Sequence, residues 1–257
     1  MLKRVSFFAY GVFAYLLFLG TFLYAIAFVG GIAVPTTLDG PATGPLWSAL
    51  AIDLALLATF AVQHSVMARP WFKRWWTQFV PVPIERATFV LFASLALDLL
   101  FWQWRPLGGT VWSVEQPAAR ALLWGIFAAG WLQVLAMTFY IDHFDLFGLR
   151  QVWLSLIGRA YTRVTFATPR PYRLVRHPLY LGFLLAFWAT PRMTAAHLVF
   201  ALATTAYILL AIQFEEHDLA QEHGRAYEEY RRRVPMLLPI GKRTETVSAA
   251  DRAVAQP

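Results

Sequence analysis

Long apolar runs alternate with short polar or Pro/Gly-rich segments along almost the whole chain. An α-helix that crosses the ~30 Å hydrocarbon core of a bilayer needs about 20 consecutive apolar residues, and most of these runs reach that length. No segment shows the apolar–polar alternation that indicates a half-buried strand. The runs that predict membrane helices are 7–34, 46–67, 87–104, 121–140, 179–190 and 195–214.

The run at 179–190 is shorter than the others. A helix of that length reaches about 18 Å, less than the hydrocarbon core, so we expect it to be tilted or partly interfacial. The sequence therefore predicts an all-α fold, a polytopic transmembrane bundle of five to six membrane helices. We assign residues 1–241 to a single domain and expect the polar tail at 242–257 to be flexible.

The first apolar run follows Lys3 and Arg4, a pattern that also fits a secretory signal. The run is about twice as long as the apolar core of a signal peptide, and no convincing small-residue cleavage site closes it. We therefore predict a helix that is retained in the mature protein.

Composition agrees with a membrane setting. Hydrophobic residues make up 58% of the 257 positions and charged residues 14%, whereas about a quarter of an average soluble chain is charged. Cysteine is absent, which excludes disulfides, a thiolate nucleophile and a Cys-ligated metal.

Basic residues are distributed unequally among the loops. If the N-terminus is cytoplasmic, the inner segments hold 19 of the 22 Lys and Arg residues, and the outer side holds only Arg105, Arg120 and Arg192. Inner loops of membrane proteins are enriched in Lys and Arg, so we predict that both termini are cytoplasmic. The net charge of +7 lies beside membrane spans, where anionic headgroups attract it. We therefore expect membrane lipids as its partner, and neither nucleic acid nor a protein partner.

The stretch "YRLVRHPLYLGF", residues 172–183, places basic residues directly before an apolar helix. Pro178 suits the first turn of a helix, where a missing N–H costs nothing. Arg173, Arg176 and His177 then surround a helix N-terminus, whose dipole attracts anions and repels cations. Either these residues bind something negative, or they are ordinary cytoplasmic residues that extend their charges to the interface.

A pair of acids ends the other arm of the same helical hairpin. Glu215 and Glu216 follow the run 195–214, at the negative end of a helix and at the membrane edge, where acids are unfavourable without cationic or donor partners. The hairpin brings them near Arg173, Arg176 and His177. A cleft with one positive and one negative wall suits a zwitterionic ligand that also carries a cation, so we predict a cytoplasmic cofactor pocket.

These motifs resemble a known group of membrane enzymes. "RHPLYLG", followed after one hairpin by Glu-Glu and then by Tyr227, Tyr230 and Val234-Pro235, is similar to the cofactor region of the isoprenylcysteine carboxyl methyltransferase and phospholipid methyltransferase superfamily. The upstream segments "QHSVMARPWFKRWW" and "FYIDHFDLFGLRQVW" look like its bacterial methanethiol S-methyltransferase branch, which makes dimethyl sulfide. The resemblance implies a protein of the bacterial cytoplasmic membrane that binds S-adenosylmethionine within residues 172–240.

Residue by residue, the resemblance implies a cofactor site with three walls. Glycine allows close approach of a ligand to the backbone, carboxylates and basic groups hold the polar ends of the cofactor, and tyrosine rings suit adenine or a sulfonium. Packing of an interfacial helix is the alternative role of Tyr227 and Tyr230. The cofactor residues implied are Arg173, Arg176, His177, Tyr180, Gly182, Glu215, Glu216, Tyr227, Tyr230 and Arg231.

Transfer to a thiol also requires a thiolate, because a thiol with a pKa at or above about 8.5 is mostly protonated at neutral pH. A base or a nearby positive charge must favour the thiolate. Polar groups at the cytoplasmic ends of spans are candidates, although a histidine there can equally be a structural hydrogen-bonding group. The catalytic candidates are His64, Tyr140, Asp142 and His143, with Asp145 nearby, and no motif predicts a metal site.

Three functions remain open at this point. The first is methylation of methanethiol, a small volatile thiol, by S-adenosylmethionine. The second keeps this cofactor but changes the acceptor to a lipid headgroup or a prenylated carboxylate. The third is a non-enzymatic membrane accessory protein of the same fold.

Overall fold

A computed structural model describes residues 1–162 and 169–240 of the chain. Helices account for almost all of the regular structure, together with one pair of short strands and a 3₁₀ turn at Arg170–Arg173. The helices are α1 (Leu2–Gly30), α2 (Leu46–Ala68), α3 (Pro70–Trp76), α4 (Val82–Gln103), α5 (Pro117–Ile141), α6 (His143–Leu146), α7 (Leu149–Leu156), α8 (Pro178–Trp188), α9 (Ala195–His223) and α10 (Arg225–Arg233). The strands β1 (Thr110–Ser113) and β2 (Arg192–Thr194) pair antiparallel.

Four helices, α1, α2, α5 and α9, are long and apolar enough to cross a membrane. The run at 87–104 forms α4, which is outside this set of four and packs against α1 and α2. The short apolar run forms α8, which has 11 residues. The predicted all-α transmembrane bundle is therefore confirmed, and the protein is an integral membrane protein. The predicted tail at 242–257 lies outside the described residues.

α9 is longer than its apolar run. It continues past position 214 to His223, so Glu215 and Glu216 lie on a helix and not in a loop after it. We call the end of the bundle that contains the end of α9 and the start of α8 the proximal end, and the opposite end, where α1 ends and α9 begins, the distal end.

Two glycines allow α5 and α8 to pack with their backbones almost in contact. A Cβ at Gly130 of α5 would lie 2.7 Å from the Ala186 amide nitrogen and 2.8 Å from the Gly182 carbonyl oxygen. A Cβ at Gly182 of α8 would lie 2.9 Å from the Gly130 carbonyl oxygen. Aromatic side chains, among them Phe127 and Trp131, continue this contact into the main apolar core. This packing fixes the start of α8, where the Arg-His-Pro sequence lies.

Candidate active site

Glu216 is the centre of a buried ionic cluster at the proximal end. Its Oε1 accepts hydrogen bonds from Arg176 Nε at 2.7 Å and from His177 Nε2 at 3.0 Å. Its Oε2 lies 3.0 Å from Arg231 Nε. The side chains of Glu216, Arg176 and His177 are buried, whereas that of Arg231 is 53% exposed. We call these four residues the Glu216 cluster. The sequence-based prediction that the hairpin brings the paired acids near these basic residues is confirmed for Arg176 and His177.

The segment after α10 holds the Arg-His-Pro sequence in place. The amides of Arg176 and His177 donate to the carbonyls of Pro235 at 2.9 Å and Met236 at 3.1 Å. Arg176 Nη1 donates to the carbonyl of Val234 at 2.6 Å. Pro178 occupies the first turn of α8, as predicted. The Val234-Pro235 motif is thus a backbone clamp on the start of α8.

Glu215 lies next to Glu216 in the chain but in a different environment. Its side chain is 47% exposed, and its Oε2 lies 3.8 Å from His177 Nδ1. The Tyr172 and Tyr180 side chains lie beside its carboxylate. Glu215 is therefore an acid that no close ion pair neutralises, bordered by aromatic rings.

Further tyrosines extend this aromatic wall. Tyr230 donates to the Tyr172 carbonyl at 2.6 Å, and its ring lies 5.8 Å from that of Tyr227. The Tyr227 hydroxyl is buried and has no hydrogen-bond partner among the described residues. Burial, and then the Glu216 carboxylate, raise the pKa of Tyr227; burial raises that of Tyr230 to about 12. Both phenols therefore stay protonated at neutral pH, and the Tyr227 hydroxyl, whose proton has no acceptor among the described residues, remains available as a neutral donor.

An apolar groove of about 820 Å³ borders the Glu216 cluster. It runs between α5, α8 and the segment 235–240. Arg176 is its charged lining residue, and the other residues include Ile126, Leu181, Leu185, Trp188 and Met236.

Two of the predicted site residues are explained by helix packing and capping. A Cβ added at Gly182 would point at the backbone of α5, so close packing of the two helices explains why this position is a glycine. Asp142 precedes α6 with a positive φ of 99°, and its Oδ1 accepts from the Asp145 amide as an N-cap. A cofactor role of Gly182 and a catalytic role of Asp142 remain predictions without support from this geometry.

His143 lies in a saturated hydrogen-bond network. The Thr138 hydroxyl donates its one proton to the Leu135 carbonyl at 2.6 Å, so it accepts from His143 Nδ1 at 2.8 Å. His143 Nε2 must then accept from the Tyr15 hydroxyl at 2.9 Å. The ring is buried and stacks on Phe139. Neither ring nitrogen has a free lone pair.

His64 is the opposite case. Its imidazole lies between Phe60 and Phe89, at ring distances of 5.3 and 5.0 Å. Its Nδ1 is buried without a partner among the described residues. A polar ring atom that is buried and unpaired is uncommon in a folded protein. Tyr140, the remaining catalytic candidate, is 53% exposed at the end of α5.

Sequence reasoning missed Tyr207 of α9. This residue lies between the surroundings of His64 on α2 and Tyr180 beside Glu215. Its hydroxyl lies 3.1 Å from Ser65 Oγ, its ring lies 6.3 Å from Phe60, and Tyr180 is close to it. An ion pair of 2.9 Å between Arg69 and Asp218 closes α2 onto α9 nearby. The available signal was a hydroxyl group in the middle of the apolar run 195–214.

The sequence is similar to that of known proteins over nearly the whole chain. A protein of Mycobacterium tuberculosis named methanethiol S-methyltransferase is 56% identical over 93% of this chain and 98% of its own length. A protein of the same name from Crocosphaera subtropica is 54% identical over 95% of this chain and 96% of its own. This chain belongs to the methanethiol S-methyltransferase family. It is an enzyme of the methyltransferase class, and the resemblance seen in the sequence motifs is confirmed.

A more distant similarity is to an animal protein. Nurim of Mus musculus is 32% identical over 67% of this chain and 68% of its own length. No family model and no solved structure matches the chain.

Proposed function

We propose that this protein transfers a methyl group from S-adenosylmethionine to methanethiol and releases dimethyl sulfide. The names of the relatives support methanethiol as the acceptor. The observation that carries the cofactor half of the proposal is the pairing of Glu215, an acid without a close ion pair, with a wall of tyrosines beside the Glu216 cluster.

The residues of this region fit S-adenosylmethionine. When bound, that cofactor supplies a methyl group on a positively charged sulfur, which a thiolate can accept. Glu215 and the rings of Tyr172 and Tyr180 suit a cation, because carboxylates and aromatic faces both attract positive charge. The buried, unpaired hydroxyl of Tyr227 requires a polar partner, which a ligand provides.

The positive wall would hold the carboxylate of the cofactor. Arg173 and Arg231 are exposed at this end, and Arg176 lines the groove. Guanidinium groups bind carboxylates through paired hydrogen bonds. Glu216 already accepts hydrogen bonds from Arg176 and His177 and forms an ion pair with Arg231. Its own role is therefore to orient these three residues, and Glu215 is the acid that faces the ligand.

His64 is the better candidate for the base that takes the thiol proton. A neutral imidazole carries one N–H and one lone pair, and the buried Nδ1 of His64 has no hydrogen-bond partner among the described residues. Both nitrogens of His143 are engaged, so we assign His143 a structural role. The proton would pass from the thiol sulfur to His64, which would leave a thiolate able to accept a methyl group.

The decisive experiment gives purified protein labelled S-adenosylmethionine and one acceptor at a time. Label that appears in dimethyl sulfide supports the proposal. Label that appears only in extracted lipid or in a prenylated carboxylate identifies the alternative acceptors. Failure to bind the cofactor in calorimetry, with a normal melting curve, would overturn the proposal.

A further inference from the structure

A second cavity, of about 500 Å³, lies at the distal end, away from the Glu216 cluster. The sequence places only three of its basic residues on this side, and two of them, Arg120 and Arg192, line this one cavity. The other residues that line it are Val29, Gly30, Asp39, Thr110, Ser113, Trp124, Thr190 and Pro191.

Asp39 is the one acid of this lining, and a buried histidine neutralises it. His197 is almost fully buried, and its Nε2 lies 2.9 Å from the Phe187 carbonyl, which can only accept. Its Nδ1 lies 3.1 Å from Asp39 Oδ2, and Thr194 donates to Asp39 Oδ1 at 2.5 Å. The Nε2 must therefore carry a proton, and a further proton must lie between Nδ1 and Asp39. With that proton the pair of Asp39 and His197 has no net charge.

The two arginines consequently give the cavity a positive charge. Among the described residues, no carboxylate lies within 4.0 Å of either guanidinium group. Among the described residues, the hydrogen bond found for these two guanidinium groups joins Arg192 Nη2 to Thr110 Oγ1 at 3.4 Å. The Thr110 hydroxyl accepts from Arg192 and keeps its own proton as a further donor beside this space.

We propose that this cavity binds the phosphate of an anionic phospholipid headgroup. Guanidinium and hydroxyl groups are the usual protein ligands of phosphate. The cavity lies where α1 ends and α5 begins, the level at which headgroups meet a membrane helix. Trp124 lines it, and the partly exposed Trp112 lies beside it with its indole N–H bonded to the Thr190 carbonyl. Tryptophan is enriched at this level of a bilayer, which favours a lipid over a free ion.

The test measures the melting temperature of the delipidated full-length protein in phosphatidylcholine micelles. Phosphatidylglycerol should raise the melting temperature, and rising salt should reduce the effect because salt screens exposed charges. The double variant Arg120→Gln/Arg192→Gln should lose most of the shift. The matched control Arg105→Gln removes the third distal arginine, which is not part of the cavity, and should keep the shift.

Two further variants and one further ligand make the result decisive. Arg120→Lys/Arg192→Lys keeps both charges and should retain most of the shift. If the double glutamine variant does not fold, each single variant is measured and should lose part of the shift. An undiminished shift in the glutamine variants would overturn the site. An equal shift with inorganic phosphate alone would overturn the assignment to a lipid.

Discussion

Glu215 and Glu216 show how strongly two adjacent, identical residues can differ. Successive positions on a helix point about 100° apart, so Glu216 faces Arg176 and His177 inside the bundle while Glu215 faces outward beside Tyr172 and Tyr180. The inner acid stabilises the fold of the site. The outer acid has no ion-pair partner closer than His177 at 3.8 Å.

Replacement of these acids by glutamine should therefore have two different effects. Glu216→Gln leaves the buried Arg176 without its counter-charge, and breaking a buried pair costs about 3–5 kcal/mol, so the melting temperature should fall. Glu215→Gln should keep the melting temperature and weaken S-adenosylmethionine binding by about 1–3 kcal/mol, the range of a charge-assisted hydrogen bond. Thermal melts and calorimetry measure both quantities.

Glu229→Gln serves as the control, because Glu229 is an exposed acid on α10 and should change neither quantity. Equal cofactor affinity in the wild-type protein and in Glu215→Gln would remove Glu215 from the cofactor site.

Replacement of the two candidate histidines should also have different effects on turnover and stability. General-base assistance contributes about 10²- to 10⁴-fold to a rate, so His64→Asn should lower turnover by that order at neutral pH. High pH should partly restore the rate, because the thiol then ionises without help. His143→Asn should lower the melting temperature, since Thr138 and Tyr15 lose their partner, and its rate should show no rescue at high pH. The opposite pattern would identify His143 as the base.

The pH dependence of stability provides an independent check on His143. Burial lowers the pKa of His143 below its ordinary value, so the folded protein holds this proton more weakly than the unfolded chain does. The stability from the neutral ring is present above about pH 6.5, the ordinary value, and is lost as pH falls towards the lower folded pKa. Between pH 7.5 and pH 5, the melting temperature should fall more steeply with decreasing pH for the wild-type protein than for His143→Asn. Parallel curves would contradict a buried neutral His143.

Among the helices, α8 depends most on its contact with α5. It is too short to cross a bilayer alone, and its position comes from the close backbone contact at Gly130 and Gly182. Since Arg176 and His177 directly precede α8, any displacement of this helix also moves the Glu216 cluster.

Gly130→Ala should consequently lower both stability and turnover. Its Cβ would meet backbone atoms of Ala186 and Gly182 below 3.0 Å, and such overpacking costs about 1–3 kcal/mol. Gly125→Ala is the matched control on the same helix, because nothing lies within 4 Å of its added Cβ. Denaturation in detergent and the methanethiol assay compare the two variants. Equal stability and equal turnover in the two variants would show that the close contact between α5 and α8 is not required for either.

For the whole molecule, the basic-residue bias predicts that the proximal end is cytoplasmic. The chain contains no cysteine, so single cysteines can be introduced and labelled with an impermeant reagent. Gly44→Cys, in the loop between α1 and α2, should react in intact cells. Gln221→Cys, near the end of α9, should react only after permeabilisation. Labelling of Gln221→Cys in intact cells would reverse the orientation.

The helices and the pairing of the two motifs could be predicted from the sequence alone, because both depend on local properties. An apolar run of sufficient length becomes a membrane helix wherever its neighbours lie. The helical hairpin predicted that the Arg-His-Pro sequence and the paired acids lie near each other, and Glu216 does contact Arg176 and His177. The sequence motifs were also sufficient to assign the family.

Only the tertiary structure decided the roles within the site. Which nitrogen of His143 carries a proton depends on Thr138 and Tyr15, and Tyr15 is far from it in the chain. Tyr207 approaches Ser65 only because α2 and α9 are neighbours. Gly182 faces a helix rather than the predicted ligand because α5 occupies that side. The residue type determines which hydrogen bonds and contacts a side chain can make. The partners in those contacts come from distant parts of the chain, and no local sequence pattern encodes them.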